Sequence, residues 1–198
     1  MAAIVLASAS AARLDMLRRA GVPVISDPAA VDEAAVKDSL RAGGAQAADV
    51  AETLAELKAT QVSRRHRDAI VIGADQMLDC NGVWFDKPPD RDHARAQLVS
   101  LRGREHTLIS AAVGVRDGTR LWHSTDRAHL TMRRFGDGFL DSYLETAGDA
   151  VLGSVGGYQL EGLGAQLFSQ VRGDFFTVLG LPLLPLLDWL RAQRVLPN

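Results

Sequence analysis

The chain has 198 residues, 47% hydrophobic and 23% charged, the proportions of a globular protein with an ordinary core. Its 22 basic and 24 acidic side chains leave a net charge of −2, which argues against a nucleic-acid or anionic-membrane partner, since both need positive surface. The longest apolar stretch, Gly180–Leu187, is short and interrupted by Pro182 and Pro185, so no bilayer span is expected. Met1–Ser8 has no charged leading region, which argues against a signal peptide, and the single cysteine, Cys80, suits a reducing cytoplasm.

Ala3–Ser8 reads as a short buried strand leading into an amphipathic helix with Leu14, Leu17 and Ala20 on one face, closed by Gly21. After Val22–Ser26 comes a polar passage, then a helix from about Ala47 to Arg65 with Val50, Leu54, Leu57 and Val62 at helical spacing. Ala69–Asp75 is a continuous apolar run ending in charge, the pattern of a strand buried on both faces. Asn81-Gly82 predicts a hairpin returning through Val83–Phe85. A helix near Arg91–Ser100 precedes two long alternating stretches, His106–Arg116 and Arg120–Met132, which read as antiparallel strands joined by Asp117-Gly118. A helix near Asp137–Thr146, a glycine-rich zone from Gly148 to Gly180 and an amphipathic helix over Leu181–Arg194 complete the chain. Helices alternating with strands, with antiparallel pairs in the middle, predict an α/β fold with a mixed sheet, one domain over 1–198 made of two lobes about a central cleft.

Several residues stand where chemistry is expected. Ser8, Ser10 and Arg13 fall at a strand-to-helix junction, where free N–H groups and the helix dipole favour an anion and Arg13 could fork onto phosphate oxygens; the plainer alternative is a capped helix with a surface arginine. Asp75 ends the predicted buried strand, the position at which α/β folds display functional groups, although a turn-capping aspartate reads the same way. Asp32 and Glu33 precede a helix, where acids serve as cap and dipole partners, but carboxylates from separate segments can also hold magnesium together with phosphate oxygens. The chain has 19 arginines and only three lysines, Lys37, Lys58 and Lys87. Where arginine is the default cation, lysine marks places that need a compact ammonium. The five histidines show no metal-ligand spacing, and no serine-nucleophile elbow or zinc-protease helix is present.

Eight short motifs occur in one order: Ser8-Ala-Ser-Ala-Ala-Arg13, Val31-Asp-Glu33, Glu56-Leu-Lys-Ala59, Gly73-Ala-Asp-Gln76, Lys87-Pro88, Leu98–His106, Gly157-Tyr-Gln-Leu-Glu-Gly162 and Gly180-Leu-Pro182. In that order they resemble the Maf family from residue 4 to about 190. The resemblance implies an elongated, two-lobed Maf/ITPase-like α/β fold with a mixed twisted sheet, flanking helices and a central cleft. It implies an enzyme that cuts a nucleoside triphosphate between its α and β phosphates with a divalent cation, Mg2+ or Mn2+, giving the monophosphate and pyrophosphate. On it, Asp75 matches the proton acceptor, and Arg13, Glu33, Lys58 and Lys87 match the polar residues around phosphate and metal, with Glu33 and Asp75 on the metal.

The resemblance also divides by branch. Ala74-Asp75-Gln76 and Leu160-Glu161-Gly162 look like the branch acting on 7-methyl-GTP, whereas a dTTP/UTP branch carries threonine after the aspartate and glutamine before the glycine. Ala12, in place of a tryptophan, and Leu14, in place of a basic residue, depart from the first pattern. Guanine offers two adjacent donors to the Glu161 carboxylate and an O6 acceptor to the Gln76 amide, so these two are the candidate base readers. The alternative for Glu161 is that it holds the Gly162-Leu-Gly164 turn. A dTTP/UTP pyrophosphatase, and a non-catalytic nucleotide-binding regulator of septum formation, are the competing functions; a homodimer is a further expectation from relatives.

Overall fold

The computed structural model describes residues 3–197; Met1 and Ala2, at the head of the segment read as lacking a leader, lie outside them. Seven strands form one mixed sheet: β1 (Ile4–Leu6), β2 (Val24–Ser26), β3 (Ile70–Cys80), β4 (Val83–Phe85), β5 (Glu105–Arg116), β6 (Thr119–Met132) and β7 (Phe168–Arg172). Their order is β2-β1-β3-β5-β6-β7, with β4 pairing β3. The helices are α1 (Ala11–Arg19), α2 (Glu33–Ala42), α3 (Ala47–Ser63), α4 (Arg91–Leu101), α5 (Asp137–Ala147), α6 (Phe175–Val178) and α7 (Leu183–Ala192). No helix among the described residues is long and apolar enough to cross a membrane.

The residues fall into two compact units. The first contains residues 3–76, 109–126 and 180–197. Here β1 lies between β2 and β3, parallel to both, with Ile4 opposite Val24 on one side and Ile70 on the other. Parallel strands are covered on both faces, which is why β1 and the start of β3 are unbroken apolar runs. Helix α3 lies so close to β3 that a Cβ on Gly73 would come 1.9 Å from the Ala55 carbonyl oxygen, so only glycine fits there. Across the same unit Trp189 of α7 fills the space over Gly114 and stacks on Trp122, with ring centroids 5.2 Å apart.

The second unit contains residues 77–108 and 127–179. Its core gathers Leu78, Leu98, Leu101, Leu108, Leu130, Leu140 and Tyr158. Buried among them, His106 Nε2 and the Tyr158 hydroxyl share a hydrogen bond of 2.7 Å. The glycine-rich zone forms three 3-10 turns, then β7 and α6.

Three expectations are corrected and one is placed more exactly. Strand β3 does not stop at Asp75 but continues to Cys80, because Met77 and Leu78 are themselves buried, so Asp75 lies inside an eleven-residue strand. The helix expected behind Asp32 and Glu33 is α2, which begins at Glu33 itself; none of its residues is fully buried, and Asp32 caps its N-terminus. The glycine-rich zone hides β7, whose mostly exposed residues give no apolar alternation. The last helix starts at Leu183 rather than Leu181, with Pro182 as its N-cap residue.

Candidate active site

The first unit contains seven of the predicted residues: Ser8, Ser10, Arg13, Glu33, Lys58, Asp75 and Gln76. Strand β1 ends at Leu6 and hands the chain to Ser8 and Ser10, whose side chain caps α1 by accepting from the Arg13 N–H. Ser8 Oγ accepts from the Ser10 N–H and from Arg13 Nη1, each at 3.2 Å. Arg13, less than one turn into α1, reaches back across this junction. Its Nε donates to the Gly180 carbonyl at 2.7 Å and its Nη1 also donates to the Ala74 carbonyl at 3.1 Å. The expected fork toward phosphate is thus partly committed to the protein itself, with Nη2 left over.

Lys58 sits on the face of α3 that Gly73 allows to approach β3. Its ammonium bonds Asp75 Oδ1 at 2.6 Å and Glu33 Oε1 at 2.7 Å, the latter from the first turn of α2. Lys58 and Asp75 are 8% and 5% exposed, so this contact is shielded from water, whereas the Glu33 side chain is 45% exposed. A charge buried with its partner is held strongly, since neither ion recovers its hydration by separating. Burial lifts the Asp75 carboxyl above its ordinary value, against the pull of Lys58 and Arg13. For Glu33 burial pushes the same way, but the hydrogen bond and charge of Lys58, with the charges of Lys37 and Arg13, win and hold it below the usual carboxylate value. Asp75 Oδ2 is buried and has no hydrogen-bond partner among the described residues. A buried lone oxygen on a charged carboxylate is costly unless something is meant to meet it.

Gln76, next on β3, donates from Nε2 to Ser110 Oγ at 3.0 Å. Lys87 and Glu161 belong to the second unit. Lys87 is exposed in the segment between β4 and α4, just before Pro88. Glu161 is exposed and its carboxylate makes no hydrogen bond among the described residues, so the Gly162–Gly164 turn is held without it. Three contributors had no role assigned from the sequence. Lys37, one helical turn beyond Glu33, adds to the charge that keeps Glu33 ionised, and its scarcity as a lysine was the available signal. Ser110 lies in a buried stretch of β5 with nothing to single it out, and Gly180 occurs in a motif to which no chemistry attached.

A helix N-terminus with small side chains can receive an anion, and a lysine gripping two carboxylates can hold one of them as a proton acceptor. Residues 3–193 match the family model described as Maf-like protein, and the chain belongs to that family. It is 63% identical to the nucleoside triphosphate pyrophosphatase of Paramagnetospirillum magneticum over 188 residues, covering 95% of this chain and 97% of that one. It is 54% identical to the protein of the same description from Granulibacter bethesdensis, covering 98% of each. A 7-methyl-GTP pyrophosphatase of Brucella abortus is 47% identical over 191 residues, covering 96% of each. Among solved structures, a nucleoside-triphosphatase / dITP/XTP pyrophosphatase from Mycobacterium abscessus covers 98% of this chain and 97% of its own, at a TM-score of 0.43 and 16% identity.

Proposed function

We propose that this chain is a nucleoside triphosphate pyrophosphatase that removes non-standard nucleotides, with 7-methyl-GTP as its favoured substrate. Relatives at 63% and 54% identity carry the activity in their descriptions, and the Brucella relative carries the substrate. The observation that carries the chemistry is the Lys58 clamp on Asp75, with one carboxylate oxygen held at 2.6 Å and the other buried without a partner.

Water must attack the α-phosphorus of a triphosphate dense with negative charge, so repulsion has to be screened and the water aimed. Asp75 Oδ2 is the free acceptor that takes the proton of that water, while Lys58 fixes the carboxylate's rotation through Oδ1. The N–H groups at the start of α1 receive phosphate oxygens near Ser8 and Ser10. On the family resemblance, Lys87 is a further source of positive charge for a phosphate group. Gln76 offers its amide to guanine O6, and on the family resemblance Glu161 is a reader of the two adjacent donors.

The residues present suit a divalent cation. No group of three or more His, Cys, Asp or Glu side chains forms a metal cluster among the described residues. Magnesium, however, usually binds through one or two carboxylates and completes its shell with waters and phosphate oxygens. Glu33 and Asp75, joined through Lys58, are that pair: Glu33, its side chain 45% exposed, would hold the cation directly and Asp75 through a water of its shell, which keeps Asp75 Oδ2 available as proton acceptor. When bound, Mg2+ or Mn2+ supplies positive charge against the triphosphate. The compartment proposed is the cytoplasm.

Pyrophosphate release assayed over a panel of nucleoside triphosphates with Mg2+ tests the proposal. Turnover with 7-methyl-GTP preferred over GTP, dTTP and UTP supports it. Tight stoichiometric nucleotide binding without turnover would instead favour a regulatory binding protein.

A further inference from the structure

We propose that Gly180 and Arg13 form a positioning pair that fixes Asp75 for its reaction, an inference that rests on the pyrophosphatase function above. The Gly180-Leu-Pro182 motif contains no group able to do chemistry. What it offers the site is a carbonyl oxygen, and Arg13 Nε takes it at 2.7 Å.

Arg13 then reaches two further points with one nitrogen, the Ser8 hydroxyl at 3.2 Å and the Ala74 carbonyl at 3.1 Å. Three chain segments far apart in sequence meet on one guanidinium: the turn after β1, the middle of β3 and the entry to α7. A planar fork with its donors at fixed angles suits such a junction, and a flexible ammonium does not. The Ala74 carbonyl shares a rigid peptide unit with the Asp75 N–H. Whatever holds that carbonyl therefore holds the backbone from which the Asp75 carboxylate projects. Lys58 fixes the carboxylate at its far end, through Oδ1. Arg13 adds to the hold that β3 already has on the Asp75 backbone, Lys58 holds the side chain, and Oδ2 is left in a defined place.

Gly180 is suited to the task for a second reason. Its φ is +100°, a region that side chains rarely adopt, and a Cβ there would lie 3.2 Å from Arg13 Nε and 3.3 Å from Nη2. A side chain at 180 would strain the turn and press the guanidinium off the carbonyl. With Nε and Nη1 committed to protein oxygens, Arg13 also lacks the open two-nitrogen edge that grips phosphate bidentately.

Two variants separate a positioning role from a phosphate ligand. Arg13→Lys keeps the charge and loses the fork; Gly180→Ala keeps Arg13 and disturbs its anchor. Misplacing a catalytic group by about 1 Å costs roughly a hundred-fold in rate. The expected result is kcat lowered roughly ten- to a hundred-fold in both, with KM within about twofold of wild type. The Asp75 amide resonance, recorded without nucleotide, should move in both. A KM raised tenfold or more with kcat retained in Arg13→Lys overturns the pair, because Arg13 then binds substrate. Full turnover and an unmoved Asp75 resonance in Gly180→Ala overturn it equally. If Gly180→Ala does not fold, Arg13→Lys alone decides. If the wild-type chain releases no pyrophosphate, the parent reading fails, while the Asp75 resonance still tests the pair.

Discussion

Lys58 holds one oxygen of Asp75 at 2.6 Å and leaves the other buried and bare. The same ammonium lies 2.7 Å from Glu33, so one lysine from α3 positions carboxylates from β3 and α2 at once. Lys58→Arg keeps the charge but substitutes a wider, planar group in a space closed to water. Both turnover and the thermal midpoint are expected to fall. Lys87→Arg, at an exposed position, should leave the midpoint unchanged. A Lys58→Arg protein with wild-type turnover and midpoint would show that the buried contact has no need of a compact cation.

Gly73 sets the distance at which Lys58 and Asp75 meet. An alanine Cβ there would lie 1.9 Å from the Ala55 carbonyl oxygen and 2.9 Å from the Ala59 nitrogen, both backbone atoms that cannot swing aside. Gly73→Ala should destabilise the chain by about 1–3 kcal/mol in a urea titration, the usual cost of overpacking a core. Turnover should drop as β3 moves off α3. An unchanged unfolding midpoint would mean the two elements separate freely.

His106 gives the fold a pH dependence. Burial, with the ring 2% exposed, lowers its pKa to about 4, against about 6.5 in an unfolded chain. Between those values the unfolded state binds a proton that the folded state refuses, so stability falls as pH drops from about 6.5 to about 4. The loss attributable to this group is about 3 kcal/mol. Denaturant unfolding of wild type and His106→Asn at a series of pH values should show a shallower slope in the variant. Identical slopes would remove His106 from the acid response.

Glu161 is the residue expected to read the base. Its carboxylate makes no hydrogen bond among the described residues, so Glu161→Gln should leave thermal stability intact. A bidentate base contact is worth about 1–3 kcal/mol, so preference for guanine over uracil and thymine should shrink roughly ten-fold or more. Competition assays with mixed triphosphates measure this ratio. A fixed substrate ranking would take Glu161 out of base recognition.

Much of the framework was legible because burial leaves periodic marks. Helix α3 and the apolar head of β3 are recoverable from residue pattern alone, since one face or both must be covered. Helix α2 was announced by its capping acids alone, and strand β7 was not legible, because its mostly exposed residues give no apolar alternation. Within the site, the ordered motifs pointed to Ser8, Arg13, Glu33, Lys58 and Asp75, and these share one unit. That Lys58 bridges Asp75 to Glu33 follows from how closely α3 approaches β3, a distance no residue spacing encodes. That Arg13 turns its nitrogens to carbonyls depends on Gly180, 167 residues away in sequence.

The most direct measurement is pyrophosphate release from 7-methyl-GTP with Mg2+, comparing wild type with Asp75→Asn. Asparagine preserves shape and removes the proton acceptor, so turnover should fall by roughly a hundred- to ten-thousand-fold while circular dichroism shows a folded chain. A folded Asp75→Asn protein that releases pyrophosphate at the wild-type rate would contradict the role of Asp75 and the mechanism built on it.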